Sequence, residues 1–150
     1  MTDRISQFQS ASKDFFETIS SFPAAKREEI IFDKWSLKDV IAHLVGWDEH
    51  FIEELDNLIN NKIEKSIWVT IPNLNKNSTA KFKNDSYQNV IKTYQQTSQK
   101  LINKLRNLDK IYWDKPLFPE KKSRTPQKYL SIWIQHVTDH LQTIKSLKIV

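Results

Sequence analysis

The residues best suited to chemistry in this chain are its four histidines, His43, His50, His136 and His140. His136 and His140 are four apart, a separation that on a helix stacks two side chains on one face, near enough to chelate one ion. At about 100° per residue they fall on one edge of an apolar stripe, His140 the more inward. His43 takes a similar edge position beside Trp47 on an earlier helix. Two helices packed along those edges would bring three imidazoles together. A His-x-x-x-His pair alone is more often a pair of surface or hydrogen-bonded core residues. The third histidine strengthens the metal reading, because a neutral imidazole within an apolar stripe needs partners to offset its burial. Imidazole suits zinc, nickel, copper and iron(II), and three protein ligands leave a position for water or substrate.

His50 lies seven residues beyond His43, about 10 Å along a helix axis, so it cannot share that ion and reads as a surface or pocket-rim residue. Asp48 and Glu54 are candidate acceptors behind the ligands, or acid and base groups. Asp48, however, sits near the centre of the apolar stripe, where a carboxyl needs a structural partner. No glycine-rich phosphate loop, His-Glu-x-x-His or Ser-His-Asp arrangement is present. Carboxylate-bridged di-iron bundles place Glu three residues before a histidine; Trp133 and Val137 hold those positions here.

The elements that must position these groups read as helices. Ile5, Phe8, Ser12, Phe15, Phe16, Ile19 and Phe22 recur at steps of mostly three and four, predicting a first helix over 3–21 that Pro23 closes. Ser36 followed by Asp39 has capping-box form. It opens a second helix, with Leu37, Val40, Ile41, Leu44, Phe51, Leu55, Leu58 and Ile59 on one face, that runs to about Asn61. Residues 62–85 lose this period, carry Pro72, and exceed the ~2–8 residues usual between bundle helices. They predict a crossover or a site-covering loop in which Trp68, Val69 and Ile71 pack onto the bundle or over a pocket. Asp85 or Ser86 caps a third helix bearing Tyr87, Val90, Ile91, Tyr94, Leu101, Leu105 and Leu108, which ends before Trp113. After an irregular stretch, 109–124, Thr125-Pro126 supplies an N-cap and a first-turn proline. The fourth helix then carries Leu130, Trp133, Ile134, Val137, Leu141, Ile144 and Leu147 nearly to the end. The expected fold is all-α: a four-helix bundle with a long connection between helices 2 and 3, one domain over residues 1–150.

Composition narrows the function classes. The chain has 150 residues, 39% of them hydrophobic, with a single glycine. That fits a folded helical domain better than a many-stranded one with its tight turns. With no cysteine, disulfide scaffolds, thiolate zinc sites and cysteine nucleophiles are excluded. No apolar run approaches the ~20 residues that span a bilayer, and the first eight residues have no signal-peptide pattern. A cytoplasmic protein with no membrane partner is expected. The net charge is +5, but Lys and Arg alternate with Asp and Glu, and the densest basic stretch, Lys121-Lys122-Ser123-Arg124, falls in a predicted loop. No nucleic-acid partner is therefore expected.

Two segments carry a family resemblance. Trp35-Ser36-Leu37-Lys38-Asp39-Val40-Ile41-Ala42-His43-Leu44 and His136-Val137-Thr138-Asp139-His140-Leu141-Gln142-Thr143-Ile144 resemble the helix-two and helix-four motifs of the DinB-like (DNA-damage-inducible) four-helix bundle superfamily. The resemblance implies a metal on His43, His136 and His140, zinc or nickel first, and commonly a homodimer. Relatives include bacillithiol- and mycothiol-dependent transferases and isomerases, in which a metal activates a low-molecular-weight thiol. The stretch 72–83 is also similar to ClbS/DfsB-type bundles, some of which hydrolyse a reactive genotoxin and need not keep the triad. Two functions are thus expected: a metal-dependent thiol S-transferase or hydrolase acting on a small electrophile, or a metal-independent protein that binds a small molecule or confers genotoxin resistance. For the second, Trp47, Trp68, Trp113 and Trp133 could line a pocket.

Overall fold

Local start signals set the helix boundaries. The computed structural model describes residues 2–147, and helix α1 spans Thr2–Ser20. Helix α2 spans Leu37–Ile59 behind a complete capping box: Ser36 Oγ accepts from the Asp39 amide, and the Asp39 carboxylate accepts from the Ser36 amide at 3.0 Å. Helices α3 (Ile67–Thr70) and α4 (Leu74–Lys81) follow, then α5 (Tyr87–Arg106) capped by Ser86, and α6 (Pro126–Ser146) capped by Thr125 with Pro126 in its first turn. Among the described residues the only β-type pairing is the isolated bridge between Phe32 and Trp35. Any continuation of the fourth helix into 148–150 lies outside the described residues.

Four long helices make the bundle. The closest pairs are α2 with α5, α1 with α5 and α1 with α6, so the backbones of α2 and α6 stand further apart. Phe8, Phe15 and Ile19 of α1, Leu44 and Leu55 of α2, Tyr94 and Leu101 of α5, and Leu130 and Trp133 of α6 belong to one buried cluster. A fully buried side chain of this size contributes roughly 1.5–3 kcal/mol. Intrinsic helix preferences differ by less than about 1 kcal/mol per residue, so packing of the stripes dominates. Three long-range hydrogen bonds from two side chains tie helix ends together. Tyr87 donates its hydroxyl proton to the Ile19 carbonyl at 2.6 Å, and the Lys38 ammonium donates to the carbonyls of Lys83 and Asp85 at 3.0 and 2.9 Å.

The long connection differs from its sequence-based reading. It is not irregular throughout: α4 packs directly on α2. Its residues, Leu-Asn-Lys-Asn-Ser-Thr-Ala-Lys, carry no apolar stripe that periodicity could detect. Docking depends on Gly46, the chain's single glycine, because a Cβ there would lie 1.8 Å from Ser78 Oγ and 2.7 Å from Ser78 Cβ. Trp68 and Val69, expected to pack down, are 71% and 74% exposed. The buried residue of α3 is Ile67, while the Glu120 carboxylate accepts from the Ser66 hydroxyl and the Ile67 amide at the helix start.

Gly46→Ala tests the docking contact. Alanine is the better helix former by about 1 kcal/mol, whereas overpacking costs about 1–3 kcal/mol. The second effect should win because Ser78 Cβ cannot swing away. The substitution is expected to lower the urea unfolding midpoint, and adding Ser78→Gly to restore it; a more stable single variant would show that α4 does not rest on Gly46.

Candidate metal centre

The sequence-predicted histidines converge. His43 projects from the second turn of α2, set by the Ser36 cap, while His136 and His140 project from successive turns of α6. The Nε2 atoms of His43 and His136 are 2.9 Å apart, and those of His136 and His140 are 2.8 Å apart. Each histidine offers one ligand atom to a group lying within 4.8 Å of one another. Three donors each about 2 Å from one zinc ion would stand on the order of 3 Å apart, so the spacing suits a shared ion. The donor chemistry also fits. The His136 Nε2 faces two ring nitrogens, and in the neutral ring it can give one proton or accept one, never both. Hydrogen bonding alone satisfies only one of the two contacts, whereas a cation at their meeting point would use all three lone pairs.

Electrostatics holds these rings neutral. Burial is the main cause in each case. It pushes His43 down to about 3, helped by His136 and His140. His136 falls to about 4 through burial and the neighbouring His140, and His140 is lowered by burial. Asp139 opposes both of the latter shifts. A metal ligand must be deprotonated, and these imidazoles already are at neutral pH.

Residues beyond the three histidines complete the centre. Asn75 of α4 places its Oδ1 2.6 Å from His43 Nδ1 and 2.9 Å from the Trp47 indole nitrogen. Nothing in a polar Asn-rich stretch marks one asparagine from another, so only the docking of α4 reveals it. Trp35 packs its ring on His43 with centroids 4.9 Å apart, and Trp133 stands edge-on to His136 at 4.8 Å. On the outer side an open cavity of about 430 Å³ is lined by Ile132, Gln135, His136, Asp139 and His140. Gln135 donates to the Asp139 carboxylate there at 2.7 Å.

Other expected candidates lie elsewhere. Asp48 is buried and accepts from the Trp133 indole at 2.7 Å and the Ser98 hydroxyl at 2.9 Å. Burial raises it to about 7 against those two hydrogen bonds. It thus has the structural partners a carboxyl on the stripe requires, and its link to the triad is the Trp133 ring. His50, expected at the surface or at a pocket rim, has its side chain buried with its ring 6.1 Å from Phe118, and it lines a pocket between α2 and α4 with Glu49, Glu53 and Ser78. Its Nδ1 is 3.9 Å from the Glu54 carboxylate, itself raised to about 7 by burial first and Glu53 second. Of the four tryptophans considered for a pocket, Trp47 and Trp133 adjoin the triad, Trp113 is buried in the core and Trp68 faces solvent.

With this geometry established, the relatives can be placed. The DinB superfamily model matches residues 7–144, and the chain belongs to that superfamily. Two solved structures share the fold. The crystal structure of the mycothiol-dependent maleylpyruvate isomerase superposes with a TM-score of 0.82 at 11% identity, over 97% of this chain and 61% of that one. This chain therefore spans about three-fifths of the isomerase's length. The colibactin self-resistance protein ClbS, in complex with a dsDNA, superposes with a TM-score of 0.78 at 12% identity, over 99% of this chain and 96% of that one. No curated protein matches the chain.

The ClbS complex overturns the expectation of no nucleic-acid partner, since a protein of this fold and length is found on dsDNA. Alternation of charge along a sequence was the wrong measure: helices gather residues three and four apart onto one face, so interleaved lysines can still share a surface. For membranes, no helix among the described residues is long and apolar enough to cross one.

Acid stability should report the buried imidazoles. Below about pH 6.5 the unfolded chain protonates its histidines, while in the folded protein His50 and His136 stay neutral to about 4 and His43 to about 3. The unfolded state then binds more protons and acid favours it. Asp48 and Glu54 oppose this, remaining protonated when folded up to about 7. These three histidines outweigh two carboxyls, and the lowered His140 works in the same direction, so metal-free protein is expected to lose stability as pH falls from about 6.5 to about 4.5. Urea midpoints that stayed level or rose over this range would show that the rings are not buried as neutral groups.

Proposed function

We propose that this protein is a divalent-metal-dependent enzyme in which His43, His136 and His140 hold the ion, zinc or nickel first, and a small electrophile is attacked by a thiol or by water. The observation that carries the reading is the approach of three neutral Nε2 atoms from two helices beside an open cavity. When bound, the ion would supply Lewis acidity that lowers the pKa of a thiol or water beside it toward neutrality. The protein's own groups do the rest. Trp35, Trp47 and Trp133 wall the inner side of the imidazoles and restrict water to the open face. On that face Asp139 is placed to receive a proton released there, and exposed Ile132 offers an apolar contact for the substrate. The isomerase's dependence on mycothiol supports a low-molecular-weight thiol as co-substrate. The reading takes the chain as one domain over residues 1–150, acting in the cytoplasm as a homodimer.

A second reading is favoured by one observation: ClbS matches this chain over nearly the whole of both lengths, and the isomerase does not. In that reading the protein confers resistance to a reactive genotoxin in association with DNA, independently of metal.

Metal content, turnover and DNA binding separate the two. Wild-type protein is expected to bind about one equivalent of zinc or nickel and to consume a small electrophile in the presence of a thiol. His140→Ala should lower metal affinity at least about tenfold, since ligand loss exceeds the 10–100-fold cost typical of losing an outer partner. Activity that survives both this substitution and chelation would remove the metal mechanism. Salt-sensitive binding of dsDNA, unchanged in His140→Ala, would support the second reading.

A further inference from the structure

Orientation of the Asn75 amide can be settled by chemistry. An indole N–H can only donate, so the Asn75 atom 2.9 Å from Trp47 Nε1 must be the oxygen. That same oxygen lies 2.6 Å from His43 Nδ1 and has no hydrogen to give. Nδ1 must therefore carry the proton, and a neutral imidazole carries only one. The remaining nitrogen, Nε2, presents a lone pair, and it is the atom facing His136.

We infer that Asn75 is a positioning residue: anchored by the Trp47 indole, it locks His43 in the tautomer whose Nε2 lone pair points at His136 and His140. Metal-bound histidines generally donate their other ring N–H to an acceptor that fixes the ring, and for His43 that acceptor arrives on α4. The long connection between α2 and α5 therefore belongs to the site. It is held by the close approach of Ser78 to Gly46, one turn of α4 beyond Asn75. The consequence for an ion rests on the metal reading above; the tautomer does not.

Long-range ¹H–¹⁵N spectra of the imidazoles in metal-free protein near pH 7.5 test the lock, with His43 assigned from its loss in His43→Gln. Wild type should show the Nδ1–H pattern. Asn75→Leu should lose it and Asn75→Asp, which keeps the acceptor, should retain it. If the leucine variant does not fold by circular dichroism, Asn75→Ser, too short to reach the ring, takes its place. Competition titrations with zinc should show a weakening of about 10–100-fold in the leucine variant and near wild-type affinity in the aspartate variant. An Nε2–H pattern in wild type, or an unchanged spectrum on loss of the acceptor, overturns the inference. Loss of the tautomer with unchanged zinc affinity overturns its positioning role. Wild type that shows Nδ1–H yet binds no metal refutes the metal reading while supporting the lock.

Discussion

Polar ring atoms buried in the seam between α2 and α6 must each be satisfied, and much of the architecture answers that demand. Because the two backbones stand apart, large rings fill the gap: Trp47 reaches Trp133 at 5.9 Å and Phe51 reaches Tyr129 at 4.5 Å. Aromatic rings bring polar edges with them. The Trp47 indole is satisfied by Asn75 and the Trp133 indole by Asp48. The three imidazoles complete the row, and His136 is the one ring whose two close nitrogen contacts cannot both be hydrogen bonds. A cation would remove that conflict, and the donors gathered in the seam are of a kind that suits one.

Helix α2 also buries ionisable groups along its own length. His43, Asp48, His50 and Glu54 are all buried along it, where apolar side chains of like volume would stabilise the fold more. Their protonation states diverge chiefly for one reason. Burial disfavours charge, so it lowers the histidines and raises the carboxyls. Near neutral pH these groups approach a set of uncharged hydrogen-bonding groups. Asp48 then acts as an acceptor that orients Trp133, whose edge in turn meets His136. The buried His50 and Glu54 lack such closure: His50 Nε2 and one Glu54 oxygen have no partner among the described residues.

Legibility in the sequence followed the type of signal. Caps that act within four residues, such as Ser36 with Asp39 and Thr125 with Pro126, could be read directly because their physics is local. The apolar stripes and the edge positions of His43, His136 and His140 could also be read, since each depends only on helical period. What stayed hidden depends on tertiary contact. Helix α4 has no stripe because it lies on α2 through a glycine and small side chains rather than through an apolar face. Asn75 is one of several asparagines until that docking selects it. The burial of His50 is hidden because the segment around Phe118, which packs on it, has no period at all.

Likeness of fold does not separate the chemistries, since proteins with different roles superpose on this chain at 11% and 12% identity. The decision moves to features that a scaffold does not require. A bundle needs apolar contacts between α2 and α6; it does not need three convergent imidazoles, an amide fixing one of them, or an open cavity beside them. The imidazoles and the amide each cost burial of polar groups, and together they would be an inefficient way to hold two helices. On the proposed reading the meeting point of the three nitrogens is used, since an electrophilic ion would use all of it at once. Length pulls the other way, toward the DNA-associated relative. Length, however, measures what surrounds a site, whereas the convergence of donors is a property of the site itself and therefore weighs more in assigning its chemistry.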